Sequence, residues 1–216
     1  MNWPLLVADE FYSDIDLLQD YALKQKYEPG LNFPGFRTRC VSELNPEIFK
    51  SLALKTLSLL YPNNCRELSY RASSYIQRIP ANLIDGWVHT DAGSQITSII
   101  YLNKDTNAGT SLFKPITPFP NIVDFGYDKR CYFQIVNNSE KVTKKEEVYF
   151  TNKRDENNAQ FRKTCFINSE YNRCILFDGS EYHAAETFNS NKKEDRYRKI
   201  YEKKKATSAE DLCQNY

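Results

Sequence analysis

The sequence predicts one mainly β domain, a helix-backed sandwich or barrel, and three observations carry that expectation. Residues 13–60 contain two stretches of apolar side chains at helical spacing. From about residue 68 onward, seven short segments rich in β-branched and aromatic residues alternate with turn-forming residues, without the strand–helix alternation of a βαβ sheet. Aromatics make up 14% of the chain, with 15 Tyr and 13 Phe, a composition suited to pleated, half-buried surfaces.

Residues 3–8 alternate loosely and fit a short strand. Ser13 stands as N-cap before Ile15, Leu17, Leu18, Tyr21 and Ala22, which share one helical face. Pro29-Gly30 and Pro34-Gly35 mark a loop. Asn45-Pro46-Glu47 reads as cap, proline at the first position and acid in the first turn of a second helix. Its apolar face holds Ile48, Phe49, Leu52, Leu57 and Leu60, and it stops at Tyr61-Pro62-Asn63-Asn64. Strands are expected at 68–79, 95–102, 111–115, 131–136, 163–167, 173–177 and 197–201. Turn chemistry falls at 103–107, at Asp178-Gly179 and at 189–191. Gly109 and Gly179 read as turn residues, and Trp87, Phe113 and Phe177 as core or pocket wall. The charged stretch 140–162 fits a helix or an exposed insertion. The expectation is a single domain over 1–216, with helical support in 1–66, a β core in 67–205 and an insertion at about 116–162. Its Pro118-Phe119-Pro120 and Phe125-Gly126-Tyr127 stand as access-shaping or simple loop packing.

Composition excludes several classes. The 216 residues suffice for a full core, and 41% hydrophobic residues exclude disorder. Net charge is +1 from 29 basic and 28 acidic residues, so no bulk attraction to nucleic acid or anionic membrane is expected. The basic run 192–205 reads as a solvated edge strand and tail. Six scattered cysteines without a C-x-x-C pair read as free thiols in a reducing compartment. Residues 1–10 do not read as a signal peptide, and no segment reaches membrane-spanning length, so a cytoplasmic, soluble protein is expected. A sequon at Asn137 would then go unused. Neither a P-loop nor a G-x-G-x-x-G supports nucleotide chemistry.

The chain has only two histidines, His89 and His183. His89 and Asp91 are two apart, so on a strand both point to one face. His183 follows the 173–177 strand and its turn. Two imidazoles and a carboxylate on one face of an ion leave open positions, the arrangement suited to non-haem Fe(II) with a chelating cosubstrate and O2. The H-x-D spacing alone is weak, and its context carries more. His89-Thr90-Asp91, then Ser98 to Lys104 with Tyr101-Leu102-Asn103, then Gly109 to Phe113, then Asn172 to Gly179 with Tyr182-His183, follow one another in order.

In that order and chemistry the chain resembles the prolyl-hydroxylase-like branch of the Fe(II)/2-oxoglutarate-dependent oxygenases, over most of residues 86–202. The segment 1–60, with Asp9-Glu10-Phe11 and Phe33-Pro34-Gly35, is more loosely similar to small bacterial and viral members. The resemblance implies a double-stranded β-helix (jelly-roll) core and His89, Asp91 and His183 as the Fe(II) ligands. It further implies that Arg196 clamps the distal carboxylate of the cosubstrate 2-oxoglutarate, with Tyr101 donating to the same carboxylate. Arg196 lies further beyond His183 than in the family, and the polar stretch 189–194 accommodates the extra length as a longer hairpin. Arg198 shares its strand face and ranks second; Lys193, in the turn, ranks third.

The implied activity is oxidative decarboxylation of 2-oxoglutarate coupled to hydroxylation of a protein or peptide side chain or a small amino-acid-like metabolite. Two alternatives stay open. A nucleic-acid dealkylase of the same superfamily would carry a second Arg at position 202, where this chain has Glu202. A non-catalytic, cupin-like β-barrel binding protein would normally present further histidines.

Overall fold

The computed structural model describes residues 5–29, 33, 35–79, 86–91, 93–104, 108–120 and 143–186. Within them the chain is mainly β, with three small antiparallel sheets and a few helices. In chain order the elements are β1 (Leu6–Ala8), α1 (Ile15–Leu23), β2 (Glu28–Pro29), β3 (Phe36–Arg37), α2 (Val41–Leu44), α3 (Pro46–Leu60), β4 (Gln77–Arg78), β5 (Ile96–Ile100), β6 (Gly109–Pro115), α4 (Lys144–Asn158), β7 (Phe161–Asn168), β8 (Cys174–Asp178) and β9 (Tyr182–Glu186).

Two of the sheets meet across an apolar layer. One runs β1-β8-β5 and the other β7-β6-β9. Side chains alternate along each strand, so the register decides which residues share the layer. Thr97 pairs with Phe177 and Ile99 with Ile175, while Leu112 pairs with His183 and Thr110 with Ala185. Leu112 and Ile167 of one sheet therefore pack on Ile175 and Phe177 of the other, with Ile99, Tyr101 and Cys165 at the margin. Burying a side chain such as Phe177 contributes on the order of 1.5–3 kcal/mol. The opposite face of β6 and β9 has its own cluster of Val88, Phe113, Phe161 and Ala184. That is why residues 109–113 are buried on both faces.

The N-terminal segment does more than provide helical support. It adds β1 to the edge of β8, in register Leu6↔Leu176 to Ala8↔Cys174. Asn172 then clamps it: the Tyr12 N–H donates to its Oδ1 at 2.9 Å and its Nδ2 donates to the Tyr12 carbonyl at 2.7 Å. Arg173 forks onto Asp9, Nε to Oδ1 at 2.6 Å and Nη2 to Oδ2 at 3.0 Å. Asn172 reaches this position with φ of 67°, a left-handed conformation that Asn tolerates.

The third sheet, β2-β3-β4, includes strands β2 and β3, which flank the expected loop and were not expected. Gly35 permits it: φ is +76° and a Cβ there would sit 2.1 Å from the Arg78 carbonyl oxygen. The long strand expected at 68–79 shrinks to Gln77–Arg78 because β3 offers it only two partners, Phe36 and Arg37. The short helix α2 and strand β9 were also not expected. Ala and Glu in Tyr182–Glu186 disfavour a strand locally, and pairing with β6 overrides them.

Other local expectations match. α3 begins at Pro46 with the Asn45 side chain accepting from the Ile48 N–H at 3.0 Å. The charged stretch 140–162 holds a helix, α4, which begins with a capping box between Thr143 and Glu146 that was not expected. α1 differs in detail: its N-cap is Asp14, without a side-chain cap bond, and the Ser13 hydroxyl instead donates to the Asp14 carboxylate. Trp87, Phe113 and Phe177 are buried, and Cys40, Cys65, Cys165 and Cys174 are free thiols. Phe119 is 91% exposed, so within the described residues it walls nothing. Among the described residues no helix is long and apolar enough to cross a membrane. The strands expected at 131–136 and 197–201, the turn at 189–191 and the Phe125-Gly126-Tyr127 stretch lie outside the described residues.

Asn172→Gly keeps the left-handed backbone and removes both bonds to Tyr12. It is expected to destabilise the fold by about 1–3 kcal/mol in urea titration and to speed amide exchange at Tyr12; an unchanged midpoint would contradict the clamp.

Candidate metal centre

The two histidine-bearing segments are paired through their backbones. The His89 N–H donates to the His183 carbonyl at 3.0 Å and the His183 N–H to the His89 carbonyl at 2.8 Å, an isolated antiparallel bridge. The pairing sets the imidazoles side by side, ring centroids 4.4 Å apart. His183 projects from β9 into the layer between the sheets, against the Phe177 ring at 4.8 Å, and is only 6% exposed.

Asp91 joins them by a different route from the one expected. It lies on no regular strand, so strand alternation does not aim it. Instead its N–H donates to the Gly179 carbonyl at 2.9 Å, and Thr97 Oγ1 donates to its Oδ2 at 2.6 Å. Gly179 sits in the expected turn, but close approach is what requires glycine there: a Cβ would lie 2.2 Å from the Ser94 carbonyl oxygen. Gly109, inside β6, is likewise required by close approach, 2.3 Å to the Ile167 carbonyl oxygen.

The result is three ligand atoms, one each from His89, Asp91 and His183, within 4.8 Å of one another. His89 Nε2 is 3.8 Å from Asp91 Oδ1, and His183 Nε2 is 3.5 Å from Asp91 Oδ2. Two donors bound to one ion at about 2.1 Å each lie roughly 3–4 Å apart, so a metal fits with small side-chain adjustments.

The tautomers point the same way. His89 Nδ1 lies 2.7 Å from the Trp87 carbonyl, and His183 Nδ1 lies 3.0 Å from the Glu181 carbonyl. A carbonyl only accepts, so each Nδ1 carries the proton. In the neutral rings both Nε2 lone pairs then face the Asp91 carboxylate. Three ligand atoms converging in this way could hold a metal ion. Backbone carbonyls orienting the far ring nitrogen are the usual outer shell of a histidine–metal site.

The support for His89 comes partly from a place that sequence reasoning missed. The Val88 N–H donates to Asn158 Oδ1 at 2.9 Å, Asn158 Nδ2 to the Gly86 carbonyl at 3.0 Å, and Asn157 Nδ2 to the Val88 carbonyl at 3.1 Å. Two side chains at the end of α4 therefore hold the ligand segment on the side away from β9. Thr97 was also missed, although its parity with Ile99 places it on the inward face. Nothing in the sequence ties the two asparagines to His89, since the link exists only after folding.

Tyr101, next on the row Thr97–Ile99–Tyr101, lines the same cleft as the three ligands. Its hydroxyl is 2.8 Å from Thr110 Oγ1, and burial pushes its pKa up to about 12, so it stays a neutral O–H at physiological pH. Arg196, Arg198 and Lys193 lie outside the described residues.

His183→Ala is expected to abolish binding of Co(II), used as a spectroscopic stand-in, in calorimetric titration. Asn158→Ala should leave the fold intact by circular dichroism yet weaken metal binding by about 10–100-fold. Equal affinity in both variants and the parent would remove the metal assignment.

Comparison with curated proteins and with solved structures returns no match. A family model, described as "Family of unknown function (DUF6445)", matches residues 1–199. That match spans most of the chain, and the protein belongs to the DUF6445 family.

Proposed function

We propose that this protein is an Fe(II)- and 2-oxoglutarate-dependent oxygenase, a hydroxylase acting on a peptide side chain or a small amino-acid-like metabolite. The observation that carries the reading is the convergence of two Nδ1-anchored imidazoles and one carboxylate. That donor set suits ferrous iron with open positions for a chelating 2-oxo acid and O2. Bound iron would supply the oxidative chemistry; the chain's own residues hold the ligands in place, wall the cleft and exclude water.

The strand pairing supports the jelly-roll form of this reading. β6 pairs with β7, and outside that hairpin β5 pairs with β8, so one hairpin nests within another and folds across two sheets. The bridge at His89 extends β7-β6-β9 by a further segment. Arg196 is assigned the distal carboxylate of 2-oxoglutarate, through its planar fork. Tyr101 is assigned to the same group, and its inward position and retained proton suit a donor. In the absence of that ligand its hydroxyl partners Thr110.

Anaerobic addition of Fe(II) and 2-oxoglutarate should give a weak visible charge-transfer band that His183→Ala loses. Well-folded protein without the band would sink the proposal. Succinate release should accompany slow turnover in air. Arg196→Ala should weaken 2-oxoglutarate binding by about tenfold or more, and Arg198→Ala far less; the reverse ranking would move the clamp to Arg198.

A further inference from the structure

Arg37 stands in the same cleft as the three candidate ligands but comes from the third sheet, outside the two that meet across the apolar layer. Its surroundings fix its guanidinium. Nε donates to Gln77 Oε1 at 2.7 Å, across the β3–β4 pair. The guanidinium carbon sits 4.0 Å from the centroid of the Phe33 ring and 5.7 Å from that of Tyr75. With one edge used by Gln77 and the plane held by aromatic rings, the remaining edge carries the two terminal nitrogens. That edge matches one carboxylate end-on.

Among the described residues no carboxylate lies within ion-pairing distance of Arg37, in contrast to Arg39 on the surface, which faces Glu43 at 3.9 Å. Burial pushes the Arg37 guanidinium down from its ordinary value, and Asp91 and then Tyr75 oppose that shift. Arg37 therefore feels the charge of the metal-ligand carboxylate without touching it. A cation bound at Asp91 would draw on that negative charge and leave Arg37 in need of an anion of its own. Among the described residues the one side-chain hydrogen bond of Arg37 is that to Gln77, which leaves its terminal nitrogens to solvent or to a ligand.

We infer that Arg37 anchors a carboxylate of the molecule on which this site acts, so that the prime substrate is a small carboxylic acid held with its acid group toward β3. The inference rests on the oxygenase reading for what happens next, but the binding itself can be judged separately. The planar guanidinium edge matches one carboxylate end-on; Arg71, Arg78 and Lys104 also line the cleft, so phosphate esters enter the test as the competing anion.

The test uses the full chain, metal-free and loaded anaerobically with Fe(II) and 2-oxoglutarate. The probes are free L-amino acids and short carboxylic acids, each beside its amide, together with simple phosphate monoesters, read by calorimetry. At least one free acid should bind about tenfold or more tightly than its amide. Arg37→Gln should erase that difference, Arg37→Lys should restore it in part, and Arg39→Gln should leave it unchanged. The iron–2-oxoglutarate band should persist in Arg37→Gln. The inference is overturned if no acid is preferred over its amide, if phosphate esters are preferred, or if Arg37→Gln keeps the preference. Loss of the band in Arg37→Gln would also overturn it, because Arg37 would then serve the cosubstrate. Absence of the band in the parent chain would instead defeat the oxygenase reading, while the acid-to-amide ratio on metal-free protein still judges Arg37.

Discussion

The reciprocal backbone bridge between His89 and His183 is the contact on which the site depends. These residues are far apart in sequence, and only strand pairing holds their Cα atoms at a fixed spacing. Everything else at the centre follows from it. The bridge sets the rings side by side, each ring's own preceding carbonyl fixes its tautomer, and the Gly179 turn brings Asp91 up between them. Long-range pairing of this kind carries a loop-closure cost. The apolar layer of Leu112, Ile167, Ile175 and Phe177 offsets it by keeping the two sheets in contact.

The division of labour is uneven. The layer between the sheets is packed with apolar side chains, and the polar groups sit at its rim: Thr97 at one end of the inward row of β5, Tyr101 beyond the other. His183 shares the inward face of β9 with Ala185, opposite Leu112 and Thr110. A single face thus serves both as packing surface and as cleft wall. The third sheet, β2-β3-β4, contributes a separate wall that contains Arg37.

The sequence made the strong local signals legible. The Asn45 cap and strands β5 to β8 come from residues whose preferences agree with the fold. The three converging residues were legible because histidines are so few, and because their order is tied to Tyr101 and Gly109. Where local preference and tertiary pairing disagree, the sequence was misleading. β9 carries two Ala and a Glu, which resist strands, Asp91 is aimed by a turn and not by alternation, and the β2-β3-β4 sheet exists because Gly35 lets two short segments approach. Asn157 and Asn158 left no readable trace, since amides at a helix end are ordinary until one knows what lies beside them.

Those two asparagines have another consequence. The Val88 N–H donates to Asn158 Oδ1 and the Val88 carbonyl accepts from Asn157 Nδ2, so both backbone groups that an adjoining strand would pair are already taken. Segment 86–89 borders the β7-β6-β9 sheet, and a bare border strand is a template for any extended chain that meets it. Here helical side chains occupy that template. The edge next to the candidate metal ligands is therefore covered against strand addition at Val88.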